Sequence, residues 1–319
     1  MKKTEKIWLD GEMVRWEDAK VHVLSHGLNY GTSVFEGIRV YQTDKGPAVF
    51  RLRDHMARLL EGCRVMAIPL KFGGKEYGLE ELIDAVKQVV RENKDVDYIK
   101  PFIFLRGEDV GLNPVNVPAS MSITGINMGM YLGKDAEKGA KIITSSWHRP
   151  DNLCAPAGAK IGGTYVTSCL AKREAVEQGA NEAVMLNSNG YVAECTGENI
   201  FIYKRGRIYT PKPSNSILEG ITRNSVIQVA RDLGYEVVET DMSRVELLTS
   251  DEVWMTGTAA EVVIVTTIDN RPVGNGRAAD GYARASGRPG KVATELQKKF
   301  ADVVRGKDDR YASWIEYVN

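Results

Sequence analysis

Hairpins and helices alternate irregularly along this chain, and this irregularity constrains the fold more than any single motif. Strand-like runs flank the turn pair Asp10-Gly11 and residues 44–46, whereas apolar residues recur at helical spacing over 79–92, 164–178 and 222–233. The regular strand–helix–strand repeat that a doubly wound parallel sheet requires is missing. The sequence therefore predicts a largely antiparallel α+β fold.

The length of 319 residues suffices for two domains, since domains usually hold about 100–200 residues. A glycine-rich segment at 129–135 separates a strand at 121–127 from a new strand at 141–145. We expect a small α+β domain at 1–128, an interdomain loop at 129–138 and a large α+β domain at 139–319. Within these ranges, Asp54 is expected to cap one helix, and a final helix is expected at 292–304.

Charge and hydropathy argue against nucleic-acid and membrane roles. The 42 basic and 42 acidic side chains cancel, which removes long-range attraction to phosphate backbones and anionic lipid. The longest aliphatic run, Val262–Val265, is far too short to span a bilayer, and no apolar stretch follows the N-terminal lysines. We expect no nucleic-acid partner, no membrane insertion and a cytoplasmic location.

Cysteines and histidines offer no metal or disulfide pattern. Cys63, Cys154, Cys169 and Cys195 lie far apart without a C-x-x-C pair, which favours a reducing compartment. The histidines do not cluster with carboxylates at metal-ligand spacing, so no metal is expected. Dinucleotide, Walker, G-x-S-x-G and H-E-x-x-H motifs are also missing from the sequence.

Lys160 differs in its surroundings from the other basic residues. It lies among glycines and alanines just before a predicted helix, where small neighbours let a flat ligand approach. Desolvation and a nearby cation lower the pKa of such a lysine towards neutrality, which suits a Schiff-base nucleophile. A solvated loop lysine is the alternative interpretation.

Glu194 and two turns suggest a phosphorylated ligand. Strand alternation places Glu194 on one face with Val192, where its carboxylate can pair with a ring nitrogen; an edge-strand or core glutamate is the alternative. Gly220-Ile221-Thr222 opens a helix, and Gly257-Thr258-Ala259 follows a strand, so each offers backbone N–H groups to an anion. Ordinary capping explains either turn alone, whereas both together favour a small phosphorylated cofactor.

Taken in order, these segments resemble the active-site motifs of pyridoxal 5'-phosphate enzymes of fold type IV. Residues 25–39, with the sequence SHGLNYGTSVFEGIR, closely resemble the branched-chain amino acid aminotransferases of that group, and the match runs from Trp8 to about Trp314. The resemblance implies a two-domain α+β fold like that of D-amino acid aminotransferase, with the active site in the interdomain cleft. It also implies that the small domain contributes the substrate pocket and dimer contacts, and that the large domain binds pyridoxal 5'-phosphate.

The resemblance assigns the cofactor contacts residue by residue. Lys160 would bond to the cofactor aldehyde and act as the catalytic base, Tyr165 would hydrogen-bond the ring phenolate, and Glu194 would pair with the ring nitrogen. The residues that would hold the phosphate are Arg58, Ile221, Thr222 and Thr258. Helical periodicity alone favours a surface position for Arg58.

The resemblance also implies the substrate contacts and the reaction. The residues that would contact substrate are Tyr30, Phe35, Gly37, Tyr98, Lys100, Tyr131, Thr258 and Ala259. The implied reaction is transamination between leucine, isoleucine or valine and 2-oxoglutarate, which gives branched 2-oxo acids and L-glutamate in branched-chain amino acid metabolism. The alternatives are a D-amino acid or (R)-amine transaminase, or an aminodeoxychorismate lyase, on the same fold. A binding protein without catalysis would need a broken Lys160 or Glu194, and both are present.

Two positions depart from the family pattern. Lys100 stands where many relatives carry an arginine thought to receive the distal carboxylate of glutamate, and Met128 stands where some carry tryptophan. Lysine keeps the charge but lacks the bidentate fork, so the preference among amino donors is open. The partners implied are small-molecule amino acids and 2-oxo acids. The resemblance further implies a homodimer, with a hexamer as the alternative, in which the loop around Tyr30 reaches the neighbouring subunit.

Overall fold

The chain forms two compact units, which differ from the contiguous ranges expected from the sequence. The computed structural model describes residues 1–129, 131–133, 136, 138–274, 276–277, 283–284 and 287–318. The first unit comprises Met1–Gly129, Ala159–Thr164 and Val303–Asn319, and the second comprises Met130–Gly158 and Tyr165–Asp302. Of the expected interdomain loop at 129–138, residues 130, 134, 135 and 137 lie outside the described residues.

The strands are numbered here in chain order. Strands β1 to β11 are Lys2–Lys3, Lys6–Leu9, Glu12–Arg15, Ser33–Phe35, Ile38–Thr43, Gly46–Phe50, Lys71–Phe72, Lys75–Glu76, Tyr98–Leu105, Ala119–Asn127 and Ala140–Thr144. Strands β12 to β22 are Glu182–Leu186, Val192–Cys195, Asn199–Lys204, Arg207–Pro211, Val237–Thr240, Glu252–Gly257, Glu261–Ile268, Arg271–Pro272, Gly276–Arg277, Ala283–Arg284 and Ile315–Tyr317.

The helices follow the same numbering. Helices α1 to α7 are His26–Tyr30, Leu52–Val65, Leu79–Glu92, Tyr165–Glu177, Ile221–Asp232, Arg244–Leu248 and Lys291–Val303. Short 3₁₀ turns lie at Trp16–Asp18, Gly162–Thr164, Pro213–Asn215 and Asp309–Trp314. Within the described residues, no helix has the length and apolar character needed to cross a membrane.

The first unit is built on an antiparallel sheet covered by two helices. Its strand order is β22-β6-β5-β9-β10-β2-β3, with β1 beside β10 and β4 beside β9. The predicted hairpin at Asp10-Gly11 is confirmed: β2 pairs with β3, and both turn residues have the positive φ that a type I′ turn requires. Helix α3 buries Leu82, Val86 and Val89 as one stripe, and burial of each such side chain contributes about 1.5–3 kcal/mol.

The second unit is built on a mixed sheet. Its strand order is β13-β12-β11-β18-β17-β14-β15-β16, with β19 beside β18. Strand β11 runs parallel to β12 and β18, and β15 runs parallel to β16, whereas the other pairs in this sheet are antiparallel. The prediction of a largely antiparallel α+β fold is therefore confirmed.

Two segments that were expected in the large domain belong to the first unit, because they pair with its strands. Strand β22 pairs with β6, which returns the C-terminal residues to the first unit, although they were expected in the range 139–319. Ile161 forms a β-bridge with Val34, so the segment Ala159–Thr164 also belongs to the first unit. The division of roles between a substrate domain and a cofactor domain stays a prediction.

The predicted start of helix α2 is wrong. The helix begins at Leu52, and its N-cap is Arg51 in the left-handed conformation (φ 50°, ψ 41°) rather than Asp54. Asp54 instead accepts a hydrogen bond from Arg51 Nε within the first turn. The Arg51 N–H donates to the carbonyl of Trp314 (2.7 Å), and this contact with the C-terminal segment is invisible in local spacing.

Candidate active site

Lys160 is held in the first unit through its backbone. Phe35 donates its N–H to the Lys160 carbonyl (3.1 Å). The Lys160 Nζ atom lies 4.7 Å from the centre of the Phe35 ring, and the Lys100 Nζ atom lies 5.3 Å from the same ring. Burial, together with the charge of Lys160, lowers the pKa of Lys100. The Lys160 amine therefore shares an aromatic side chain with a second cation.

Arg58 lies on α2 and binds the buried carboxylate of Glu36. Its Nε donates to Glu36 Oε1 (2.6 Å) and its Nη2 to Oε2 (2.9 Å). His55 Nδ1 contacts the same Oε2 (2.7 Å). Burial opposes ionisation of Glu36, but Arg58 and His55 together hold its pKa well below the ordinary range. The Arg58 side chain is only 13% exposed, so the surface position favoured by periodicity is wrong.

Gly37 makes room for the hydroxyl of Tyr98. A Cβ added at Gly37 would lie 1.9 Å from the Tyr98 hydroxyl oxygen, so any side chain there would displace Tyr98. Tyr98 and Lys100 are two residues apart on β9 and therefore share one face of the sheet. The first unit thus brings the side chains of Phe35, Tyr98, Lys100 and Lys160 together with the backbone of Gly37.

Two further tyrosines predicted to contact substrate lie among other neighbours. The Tyr30 hydroxyl accepts the N–H of Gly111 (3.3 Å), and its ring packs at 4.6 Å against His26. Tyr131 belongs to the second unit, where its hydroxyl lies 3.7 Å from the place that a Gly197 Cβ would take.

Glu194 is a buried carboxylate on β13 with three donors. Arg149 Nη2 binds Oε1 (3.0 Å), while Asn199 Nδ2 (2.9 Å) and the Leu218 N–H (3.1 Å) bind Oε2. Arg149 is itself buried and also donates Nε to the Ser216 carbonyl (3.2 Å). Charge-assisted hydrogen bonds of this kind hold a carboxylate as an oriented anion.

Asn199 connects Glu194 to the start of α5. Besides Glu194, its Nδ2 donates to the Leu218 carbonyl (2.8 Å). A Cβ added at Gly220, the N-cap of α5, would lie 2.1 Å from Asn199 Oδ1, so only glycine fits here. Gly220 provides no side-chain cap, and the backbone N–H groups of Ile221 and Thr222 open the helix. The N-terminus of α5 therefore has the form of an anion site.

The second predicted turn lies beside the same asparagine. Asn199 pairs with Thr256 across β14 and β17, and Gly257, Thr258 and Ala259 follow. A Cβ added at Gly257 would lie 3.0 Å from Glu198 Cγ. The buried Thr256 Oγ1 atom has no hydrogen-bond partner among the described residues. Both predicted turns and Glu194 are therefore joined through Asn199 in the second unit.

Comparison with known families identifies the fold. The family described as "Amino-transferase class IV" matches residues 33–268. The chain belongs to this family. Membership confirms the fold type IV architecture inferred from the motifs.

Individual relatives match over the whole chain. The branched-chain-amino-acid aminotransferase of Escherichia coli (strain K12) is 42% identical, covering 100% of this chain and 99% of the relative. The T.th. branched-chain amino acid aminotransferase crystallised with pyridoxamine 5'-phosphate is 44% identical with a TM-score of 0.91, covering 100% of both chains. Its complex with N-(5'-phosphopyridoxyl)-L-glutamate matches at 42% identity with a TM-score of 0.89, again covering 100% of both.

The residues of this class IV aminotransferase fit a phosphorylated pyridine cofactor. Such a group needs an amine for its aldehyde, an anion for its ring nitrogen and N–H or hydroxyl donors for its phosphate. Lys160, Glu194 and the N-terminus of α5 offer these groups. The absence of a side chain at Gly220 and Gly257 lets both turns pack against Asn199 and Glu198, and the buried Thr256 hydroxyl has no partner among the described residues. The assignment of each residue to a cofactor or substrate atom stays a prediction.

Two further buried carboxyl groups, those of Glu182 and Glu198, lie near Glu194 along the chain. Glu182 accepts a hydrogen bond from Lys172 Nζ (2.8 Å), and Glu198 accepts the N–H of Gly197 (3.3 Å). Burial, followed by the charge of Glu182, raises the pKa of Glu198 to about 8. At neutral pH, the Glu198 carboxyl group is therefore protonated and uncharged. The part of the chain that the structure describes contains no group of three or more His, Cys, Asp or Glu side chains placed to hold a metal ion.

We expect this pair to make stability fall as the pH rises. The unfolded chain loses the Glu198 proton near its ordinary pKa of 4.5, whereas the folded chain keeps it to about 8. Between these values unfolding releases a proton, so rising pH lowers the free energy of unfolding, by a few kcal/mol in total. Glu198→Gln removes this titration, and its stability relative to the unmodified protein should increase from pH 5 to pH 8 in denaturant unfolding.

The matched control for Glu198→Gln is Glu177→Gln. Glu177 pairs with Arg173 on the exposed surface of α4, so that variant should follow the unmodified protein at each pH. A constant difference between Glu198→Gln and the unmodified protein across the range would contradict the assignment of a raised pKa to Glu198.

Three residues that organise the site were not predicted as site residues. Glu36 lies inside the motif at 25–39, and Asn199 follows Glu194 by five residues, so these positions were the available signal. Arg149 precedes Pro150 in a loop, and nothing in its spacing indicates that it binds Glu194.

Proposed function

We propose that Lys160, Glu194 and Arg58 are the principal functional residues of a branched-chain amino acid aminotransferase. The enzyme catalyses transamination between branched-chain L-amino acids and 2-oxoglutarate, with pyridoxal 5'-phosphate as cofactor, and gives branched 2-oxo acids and L-glutamate. The single observation that carries the residue assignment is the position of Lys160, whose amine lies 4.7 Å from the centre of the Phe35 ring and whose carbonyl accepts the Phe35 N–H.

Lys160 and Glu194 have complementary roles in this proposal. The cofactor, when bound, withdraws the electrons left behind when the α-proton of the amino acid departs. Lys160 Nζ would anchor the cofactor through its aldehyde carbon until the substrate amino group takes its place there, and the released amine would then accept the α-proton and return it at the neighbouring carbon. Glu194, oriented by Arg149 and Asn199, binds the ring nitrogen and keeps its proton in place.

The phosphate and phenolate contacts complete the proposed cofactor site. Arg58 and Thr258 bind the phosphate together with the N-terminal residues of α5, Ile221 and Thr222. Tyr165, the first residue of α4, donates its hydroxyl to the ring oxygen. These groups hold the cofactor in a fixed orientation so that Lys160 Nζ can reach the reacting carbon.

The proposed substrate contacts combine an apolar surface with a cation. Phe35, Tyr98 and Tyr131 favour branched aliphatic side chains through apolar burial. Lys100, whose ammonium lies over Phe35, receives the distal carboxylate of glutamate or 2-oxoglutarate. The remaining proposed contacts to substrate are Tyr30, Gly37, Thr258 and Ala259. Nothing in the comparisons supports D-amino acid or (R)-amine transamination or aminodeoxychorismate lyase activity.

A panel of amino donors tests this assignment. With 2-oxoglutarate as acceptor, L-leucine should turn over much faster than D-alanine or an (R)-aryl amine.

Lys100→Arg should lower the KM for 2-oxoglutarate by about 3- to 10-fold, because a bidentate guanidinium binds carboxylate more strongly than an ammonium does. The KM for L-leucine should stay unchanged.

Lys75→Arg provides the control for Lys100→Arg. Lys75 is an exposed lysine whose Nζ lies 5.2 Å from the centre of the Tyr77 ring, so it reproduces an ammonium over an aromatic ring without a substrate role. Its kinetic constants should equal those of the unmodified enzyme. Faster turnover of D-alanine than of L-leucine would overturn the substrate assignment.

We further propose a homodimer located in the cytoplasm, with assembly into a hexamer as the alternative. Exposed apolar side chains cluster in the segment before Tyr30, including Val21, Val23 and Leu28. Leu28 also lines a cavity of about 290 Å³ with Phe102 and Phe104. An apolar surface of this kind is typical of a protein interface, and a second copy of the chain is the proposed partner. The four free cysteines suit a reducing compartment.

A further inference from the structure

The buried carboxylate of Glu36 joins two elements of the first unit. Glu36 has no solvent-accessible surface, and its hydrogen-bonding side-chain partners His55 and Arg58 both lie on α2. Because His55 and Arg58 are three residues apart, they project from the same face of that helix. The Glu36 carboxylate therefore fixes this face of α2 against the segment that follows β4.

The residue before Glu36 holds Lys160. Phe35 donates its N–H to the Lys160 carbonyl (3.1 Å), and the Glu36 N–H donates to the Pro101 carbonyl (2.9 Å). Two consecutive residues thus fix the backbone of Lys160 and the side chain of Arg58. The relative position of the Lys160 backbone and the Arg58 guanidinium is set within this short segment.

Burial distinguishes this contact from an ordinary arginine–glutamate pair. Glu80 also binds an arginine through two bonds, to Arg53 Nη1 (2.7 Å) and Nη2 (3.0 Å), but those side chains are 66% and 54% exposed. Exposed pairs contribute little because water solvates the partners equally well. A buried guanidinium that loses its carboxylate is left as an uncompensated charge and moves towards water.

We propose that Glu36 is a positioning residue that orients the Arg58 guanidinium towards the cofactor phosphate. This inference rests on the proposed function of Arg58 as the phosphate ligand. Two effects of Glu36 oppose each other: its charge partly cancels the attraction of Arg58 for a phosphate, whereas its hydrogen bonds fix the guanidinium plane. The orientation of the guanidinium outweighs the partial cancellation of its charge, because an arginine that is already immobilised loses less conformational freedom when it binds a phosphate.

Cofactor binding by the stripped enzyme tests the proposal. The holoenzyme is freed of cofactor and titrated with pyridoxal 5'-phosphate and, separately, with pyridoxal, which lacks the phosphate. Glu36→Gln should weaken binding of pyridoxal 5'-phosphate by about 10- to 100-fold, the range expected for hydrogen bonds to a charged group. Binding of pyridoxal should change little, and a general loss of structure would instead weaken both.

Companion variants separate this inference from the function it rests on. Arg58→Gln should lose the same phosphate-specific affinity, and the double variant Glu36→Gln/Arg58→Gln should bind no more weakly than Arg58→Gln alone. Glu80→Gln, which removes the exposed pair, should bind both ligands normally. Unchanged binding in Arg58→Gln would refute the phosphate role of Arg58.

The decisive comparison is between the two single variants. If Arg58→Gln loses affinity for pyridoxal 5'-phosphate while Glu36→Gln binds it as well as or better than the unmodified enzyme, the positioning role of Glu36 is overturned. If Glu36→Gln fails to fold by circular dichroism, Glu36→Asp takes its place, because it keeps the charge and shortens the reach. That variant should show a smaller phosphate-specific loss, and normal affinity would equally overturn the proposal.

Discussion

Replacing Lys160 by alanine will abolish transamination and the covalent attachment of the cofactor. Lys160 Nζ is proposed to anchor the cofactor and to move the α-proton, and alanine can do neither. Because positioned proton transfer alone contributes about 10²–10⁴-fold to a rate, kcat should fall by at least that factor. Turnover of L-leucine with 2-oxoglutarate measures the loss, and borohydride reduction with peptide mass analysis locates the covalent bond.

The fold should survive the Lys160→Ala substitution. The bonds that hold this segment come from the backbone, through the Lys160 carbonyl to Phe35 and through the bridge between Ile161 and Val34. Lys45→Ala is the matched control, since Lys45 is an exposed lysine whose Nζ lies 5.6 Å from the centre of the Tyr317 ring. It should keep full activity. Full activity in Lys160→Ala, or a cofactor bond at another lysine, would refute the assignment.

Local sequence patterns predicted those elements whose burial is periodic. The helix Leu79–Glu92 was predicted to the residue, because one stripe of its residues is apolar. The start of α2 was not, since the left-handed N-cap Arg51 is held by the distant carbonyl of Trp314. A contact between residues so far apart leaves no trace in local spacing.

The candidate site shows the same division between local and distant signals. Lys160 stands out because its neighbours are small, and Glu194 because strand alternation sets its face. The periodicity of its own helix predicts a surface position for Arg58, because the burial of Arg58 depends on Glu36 in another element. Arg149 gives no local sign of its bond to Glu194. Sequence patterns thus indicate the groups with unusual neighbours, whereas the structure is needed to find the groups that orient them.

Replacing Glu194 by glutamine should leave a folded, cofactor-binding enzyme that removes the α-proton slowly. The amide is neutral, so the ring nitrogen loses the anion that keeps its proton in place. We expect kcat to fall by about 10²–10³-fold, the loss typical when one preorganised electrostatic group is removed from a site. Proton removal then limits turnover, so α-deuterated L-leucine should give a larger kinetic isotope effect in the variant than in the unmodified enzyme.

A loss of kcat in Glu194→Gln has a second cause to exclude, namely destabilisation of the fold because Arg149 loses its carboxylate partner. Arg149 is buried, and breaking a buried ion pair destabilises the folded state whatever the chemistry of the site. Glu239→Gln is the matched control, because it removes the carboxylate bound by the buried Arg223 Nη2 (2.7 Å) in the same unit. That variant should lose stability while keeping its kcat and isotope effect. Unchanged turnover in Glu194→Gln would show that the ring nitrogen needs no carboxylate, whereas equal losses of kcat in both variants would assign Glu194 a structural role only.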